Sequence, residues 1–318
     1  MPLDRGPSPL RPSIRGTTPS RRRFEALSPV EDEVHPVIHA GRVAVITGAA
    51  GGIGKAAAVE LAKAGLKLAI ADIMEDALTA TGKEVAAIAG DANVLVIATD
   101  VSKIEDVQHL RDKVYEAWGE VAVLLNNAAI CPDSKSWELL DNWRSTFEVN
   151  LFGVVNVQQT FVPSMLHQEN QAMVINTGSK QGITNPPGNP AYNATQAAVK
   201  SLTEGLAQEL RERPTCNVTA HLFIPGWTFT GLTAKTGGAK PAGAWTAEET
   251  VLYMLDRVRL GEFYILCPDN EARRAIDQLR IMWAAADVAE GRPALSRWHR
   301  DWKSLYEEYI REGLADMQ

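Results

Sequence analysis

The stretch "TGAAGGIG", Thr47 to Gly54, constrains the fold of this chain more than any other. It follows "RVAVI", a continuous aliphatic run that reads as a buried strand. It opens "GIGKAAAVELAKAG", where apolar residues recur at helical spacing and Gly65 closes the helix. Glycines between a strand and a helix permit a tight turn and let the backbone approach a pyrophosphate. They also leave helix N-terminal amides pointing at its negative charge. Such a turn alone is a loose signal; flanked by this strand and this helix it is a specific one.

The alternation continues along the chain. "KLAIAD" reads as a second strand and "MEDALTATGKEVAAIAG" as a helix. "NVLVIATD" precedes "DVQHLRDKVYEAWG", and "VAVLLNNAA" precedes a long helical run from Trp137 to about Glu169. "AMVINTG", "NVTAHLFIPG" and "FYILCP" supply three later strands, with a helix over "AYNATQAAVKSLTEGLAQEL" between the first two. Continuous β-branched runs separated by amphipathic helices predict an α/β fold. The expected form is a Rossmann-like, doubly wound parallel sheet of seven strands with helices on both faces.

Asp72 ends the second strand, 24 residues past Gly48. A carboxylate there accepts hydrogen bonds from both adenosine ribose hydroxyls and repels a 2′-phosphate. No arginine or lysine sits in the glycine turn or just after Asp72 to pair such a phosphate. The expected cofactor is NAD.

The domain carrying this site is expected over residues 39–270. Residues 1–38 hold seven of the 17 prolines, six arginines and few large apolar residues, so they cannot build a core. They read as an extension, either a tail or an arm on a neighbouring subunit. Residues 271–318 read as a helical extension packed on the same domain. With 318 residues, 45% of them apolar, the chain can bury a full core. A net charge of -7 disfavours a phosphate-backbone binder, so no nucleic-acid partner is expected. No stretch approaches a membrane span and the N-terminus lacks an apolar signal core; the expectation is no membrane partner and a cytoplasmic location. Cys131, Cys216 and Cys267 lie far apart at apolar runs and read as small buried thiols, and no metal site is expected.

With these pieces in place, the sequence resembles a classical-type short-chain dehydrogenase/reductase over about residues 40–270. "TGAAGGIG" matches the family's TGxxxGxG through Gly48, Gly52, Ile53 and Gly54. "NNAA" matches NNAG with its last glycine replaced, and contributes Asn127 and Ala128. Asp100 and Val101 match the pair that lies beside the adenine in the family. Asn150 in "FEVNLFG" matches the mid-helix asparagine, "INTGS" puts Ser179 at the catalytic serine, and Tyr192 follows it by 13 residues. "PGWTFT" matches PGxxxT, which implies Pro225, Gly226, Thr228 and Thr230 at the nicotinamide half. The resemblance also implies that Tyr192 transfers the alcohol proton, Ser179 orients the oxygen and Asn150 supports a water chain. A homodimer or homotetramer is implied in the same way.

The departure is Gln196. The family has a lysine four residues past the tyrosine, which holds the nicotinamide ribose and lowers the tyrosine pKa. A tyrosine with its ordinary pKa of about 10 is a poor base at neutral pH unless a nearby cation favours the phenolate. Glutamine supplies no charge, but its amide has the length to reach the ribose. Gln196 therefore stays among both the catalytic and the cofactor-binding positions, with competent binding and a weakened base expected. Lys200 lies eight residues after Tyr192, about 12 Å along the helix axis, too far to substitute. Lys180 adjoins Ser179 and reads as a solvated surface lysine. A natural variant, an engineered inactive form, and a fold retained for NAD binding alone would each account for Gln196. Retention of Asn150, Ser179 and Tyr192 together weighs against the last.

The expected function is an NAD-dependent oxidoreductase interconverting a hydrophobic or ring-containing secondary alcohol and its ketone. A non-catalytic or regulatory NAD-binding protein is the alternative. The loops "CPDSKSW", "KQGITNPPGNPA" and the glycine-rich run from Gly226 to Trp245 surround the expected pocket, and the last is expected to move as a lid. Ile183, Trp227 and Phe229, with Trp245, offer apolar surface to the substrate. The sequence displays no cluster of arginines suited to a sugar phosphate. Trp283, Trp298 and Trp302 either close the pocket's outer side or meet a partner subunit.

Overall fold

A computed structural model of the chain describes residues 35–234 and 239–317. The expected N-terminal extension up to residue 34 and the centre of the expected lid lie outside those residues. Among the described residues nine strands form: β1 Val43–Thr47, β2 Lys67–Asp72, β3 Val94–Ala98, β4 Val123–Asn126, β5 Ala172–Thr177, β6 Val218–Ile224, β7 Thr228–Phe229, β8 Trp245–Thr246 and β9 Tyr264–Leu266. Seven of them make one parallel sheet in the order β3-β2-β1-β4-β5-β6-β9.

The strand alternation sorts side chains into two cores. Ala44 and Ile46 of β1, Leu68 and Ile70 of β2, and Val123 and Leu125 of β4 face the helices Gly52–Lys63, Glu75–Ala89 and Ala247–Arg259. Their neighbours Val43, Val45, Ala69, Ala71 and Leu124 face Ile104–Trp118, Gly153–Met165 and Pro190–Glu212. A fully buried Leu, Ile or Phe contributes about 1.5–3 kcal/mol, so strands buried on both faces anchor the fold. Val37 and Ile38, on the extension side of the expected boundary, are buried in the first of these cores. From β1 the sheet runs one way to β2 and the other way to β4. That reversal opens a crevice beyond the carboxyl ends of β1 and β4, the place where this fold binds ligands.

Three features depart from the sequence expectation. The run from Trp137 is not one helix: Leu140–Phe147 leads into a π-helical turn, Glu148–Phe152, and then Gly153–Met165. Only Cys267 is fully buried, whereas Cys131 and Cys216 are partly buried. The ends of the expected lid are tied down, because β7 and β8 pair through Thr228 with Trp245 and Phe229 with Thr246. Beyond β9, Arg274–Ala289 packs against Lys303–Asp316, with Trp283 ringed by Trp302, Tyr306 and Tyr309 at centroid distances of 6.3, 5.3 and 5.1 Å. Trp283 and Trp302 are thus engaged within the chain, while Trp298 remains exposed. Among the described residues, no helix is long and apolar enough to cross a membrane.

Candidate active site

The crevice is a cleft of about 930 Å³. At its β1 end, Gly48 has a φ of +68°, and a Cβ there would come within 2.8 Å of Ala128 Cα. A Cβ on Gly54 would fall 2.2 Å from the Gly48 carbonyl oxygen. The turn can adopt this shape only with glycine, and Gly52 and Ile53 carry it on along the cleft wall. Asn127 closes the turn from β4, its Nδ2 donating to the carbonyls of Thr47 and Gly48 at 3.2 and 3.3 Å. Asp72, at the end of β2, accepts from the backbone N–H groups of Ala50 and Met74 at 3.0 Å each. These bonds fix the carboxylate beside the cleft and leave it lone pairs for further donors.

At the opposite end, the helix Pro190–Glu212 starts on Asn189, whose side chain accepts from the Tyr192 N–H at 3.2 Å. Proline at the first helical position suits this start. Asn189 also donates to the Pro132 carbonyl at 2.8 Å and accepts from Ser134 Oγ at 2.6 Å, so the "CPDSKSW" loop is pinned to the tyrosine helix. Tyr192 and Ser179 line the cleft together, and Ser179 acts on the Tyr192 phenol in the direction that favours its ionisation. Burial, and after it the nearby Cys131, push the Tyr192 phenol up to about 12, against the opposing influence of Ser179.

Gln196, one turn further on, is 3% exposed and lines the same cleft, and its Oε1 has no hydrogen-bond partner within the protein. A buried amide oxygen in that state is one that a bound group would satisfy. The glycine cradle, the oriented Asp72 and this oxygen lie along one cleft, so the residues present fit an extended dinucleotide.

Neither lysine substitutes for the missing cation. Lys200 is paired along its own helix with Glu204 at 2.7 Å. Lys180 is not a solvated surface residue: it is 18% exposed, with its ammonium 3.0 Å from Asp269 and 2.5 Å from Asp277. Two buried carboxylates hold its charge. Burial drives Asp277 up, and Lys180 only partly offsets this. Burial also drives Asp269 upward, but the Trp227 N–H and Lys180 outweigh it and hold that carboxyl below the usual range. Through that N–H bond, 3.0 Å long, Asp269 also fixes the turn after β6.

The cleft gathers most of the residues singled out from the sequence: Asp100, Val101 and Ala128, then Pro225, Gly226, Trp227, Thr228 and Thr230. Others stand elsewhere. Gly54 shapes the turn from behind. Asn150 is buried and makes a two-way pair with the Ile130 backbone at 2.8 Å each way. Ile183 lines a neighbouring pocket, and Phe229 is in the β7–β8 pairing, as is Trp245, which the sequence also offered to the substrate and which does not line the cleft. Sequence reasoning missed Lys180, Asp269 and Arg280 as cleft residues. It also missed the buried chain in which Asn126 donates to Asn176, and Asn176 to Gln158 and Thr203. The doubled asparagine of "NNAA" signals only its first member.

A doubly wound sheet with a glycine cradle at its switch point and a hydroxyl pair across the cleft defines an α/β oxidoreductase. The short chain dehydrogenase family profile matches residues 42–240, and the chain belongs to that family. Among similar proteins, a CLA biosynthesis dehydrogenase/reductase of Lactiplantibacillus plantarum is 33% identical over 192 residues, which are 60% of this chain and 66% of that one. The 1-deoxy-11-beta-hydroxypentalenate dehydrogenase of Streptomyces exfoliatus is 30% identical over 264 residues, covering 81% of this chain and 94% of its own length. A short chain dehydrogenase/reductase from Burkholderia phymatum, solved in complex with NAD, superposes with a TM-score of 0.72 at 31% identity, covering 80% of this chain and 96% of that chain.

Proposed function

We propose that this protein is an NAD-dependent oxidoreductase interconverting a hydrophobic secondary alcohol and its ketone, with Tyr192 as the proton-transferring group. The observation that carries this reading is that Tyr192 and Ser179 share the wall of a cleft whose far end carries the glycine cradle and Asp72. NAD supplies the hydride acceptor or donor. Gly48, Gly52 and Ile53 would hold its pyrophosphate, Asp72 the adenosine ribose and Gln196 the nicotinamide ribose. Ser179 would orient the substrate oxygen, and Tyr192 would take or return its proton. The likeness to an NAD-bound structure and to a 1-deoxy-11-beta-hydroxypentalenate dehydrogenase supports the cofactor and a hydroxylated organic substrate.

Asp72 sets the first test. Its carboxylate would face the 2′-phosphate of NADP, and such like-charge contacts cost several kcal/mol. Titration through Trp227 fluorescence should give NADH binding about tenfold or more tighter than NADPH. Equal or tighter NADPH binding would remove NAD from this reading.

Gln196 sets the second. With the phenol pushed up to about 12, the phenolate needed for alcohol oxidation is scarce at neutral pH and grows as the medium becomes alkaline. The Gln196→Lys variant places a cation near Tyr192, lowers that pKa and moves the rising limb of the pH–rate profile toward neutral. One pKa unit is about 1.4 kcal/mol, so neutral-pH oxidation should increase about tenfold. Unchanged or lower turnover in a folded variant would show that the surroundings are adapted to the neutral amide.

A further inference from the structure

Beside the cleft lies a second pocket of about 410 Å³, between the turn after Ser179 and the helix Arg274–Ala289. Ile183, Trp283 and Trp298 give it apolar walls, and Arg280, Arg292 and Arg297 converge on it. The pocket adjoins the reaction site, and Arg280 borders both cavities. Ile183, expected at the substrate, stands here instead.

The guanidinium groups are only partly committed. Arg292 is 10% exposed, shares Glu290 at 2.7 Å, and stacks 4.5 Å from the Trp283 ring centroid. Its Nη1 is buried without a partner. Arg280 meets Asp277 at 3.6 Å, a carboxylate that Lys180 already holds, and its own Nε is likewise unpartnered. Arg297 lies over Trp298 and Tyr306 at 4.6 and 5.2 Å rather than against a carboxylate, among the described residues. Stacked guanidinium planes keep their donor edges free for a planar anion. Asp277, Asp287 and Glu290 balance the three guanidinium charges, so the pocket has no surplus charge and a ligand would be selected by the unpartnered donors of Arg280 and Arg292. A dianionic phosphate would meet Asp287 on the wall.

We propose that this pocket is the far end of the substrate site and binds the carboxylate of a hydrophobic hydroxy or keto acid through Arg280, Arg292 and Arg297. The proposal rests on the oxidoreductase reading for the reaction but not for the binding, and the two can be tested apart. Calorimetric titration of the full chain with phenylpropanoate, its methyl ester and phenylpropyl phosphate isolates the anionic group. Charge-assisted hydrogen bonds should make the carboxylate bind about tenfold or more tighter than the ester. Arg297→Gln and Arg292→Gln, whose side chains stand outside the cofactor cleft, should each bring that ratio toward one while NADH binding persists, which also reports that the variants are folded. Equal binding of acid and ester, or a ratio that survives in both variants, overturns the proposal. Tighter binding of the phosphate overturns the carboxylate assignment. Absence of NADH-linked turnover on every ketone, with acid selectivity intact, counts against the oxidoreductase reading and leaves this one supported. Turnover with no preference for keto acids over their esters does the reverse.

Discussion

Replacing Tyr192 with phenylalanine is expected to lower NADH-linked turnover by about a hundredfold or more, the contribution of a positioned proton-transfer group. The variant removes one hydroxyl and keeps the ring that lines the cleft, so cofactor binding should persist. That separation gives the experiment its force. An oxidoreductase working through Tyr192 loses turnover and keeps NADH affinity, whereas a non-catalytic NAD-binding protein has no turnover to lose. The pH dependence sharpens it. Alcohol oxidation by the wild type requires the phenolate and, with the phenol at about 12, should climb through the alkaline range. Ketone reduction requires the protonated phenol, which is already present at neutral pH, and should vary little there. Stopped-flow absorbance of NADH in both directions measures this. Turnover in the phenylalanine variant close to wild type would assign the proton to another group.

The Lys180→Met variant is expected to be the most destabilising substitution near the site. Lys180 neutralises Asp269 and Asp277, both under 10% exposed, and removing one partner of a buried ionic cluster typically costs about 3–5 kcal/mol. In a domain of this size that lowers the thermal midpoint by something on the order of 10 °C. The sign of the pH dependence follows from Asp269. Its folded pKa is held below the ordinary carboxylate value, so its contribution is present above that value and is lost as pH falls through the depressed one. The gap between wild type and variant should therefore be full at neutral pH and close in acid. Calorimetric scans at the two pH values test it. A gap that is small at neutral pH would mean that water already screens the cluster. Because Asp269 accepts the Trp227 N–H, the same variant should also weaken NADH binding by loosening the turn after β6.

The sheet and the cofactor end were legible in the sequence because their signals are local. A β-branched run between helices reports a parallel strand, and Gly48 and Gly54 are required by the turn's own geometry. Asp72 followed from its place at the end of β2. The charge environment was not legible, since it depends on residues far apart in the chain. Lys180 read as solvated because its partners, Asp269 and Asp277, belong to a segment that only the folded chain brings beside β5. Arg280, Arg292 and Arg297 are separated along the sequence and converge only because the turns after Arg274–Ala289 fold back over that helix. The π-helical turn at Asn150 carries no periodicity of its own. Its apolar neighbours read equally well as one long helix.

The contact between Gly182 and residue 196 has a consequence for how this site can change. A Cβ on Gly182 would lie 2.4 Å from the carbonyl carbon of Gln196, so the short helix after Ser179 rests directly on the tyrosine helix, backbone to backbone. Position 196 is held in place by its main chain, whatever its side chain. Glutamine and lysine codons differ by one base, so under the proposed role of Gln196 that single mutational step is expected to alter the electrostatics around Tyr192 while this backbone contact stays in place. On that reading the scaffold would keep reactivity and architecture on separate genetic footings, so that activity could change there while the fold stays as it is.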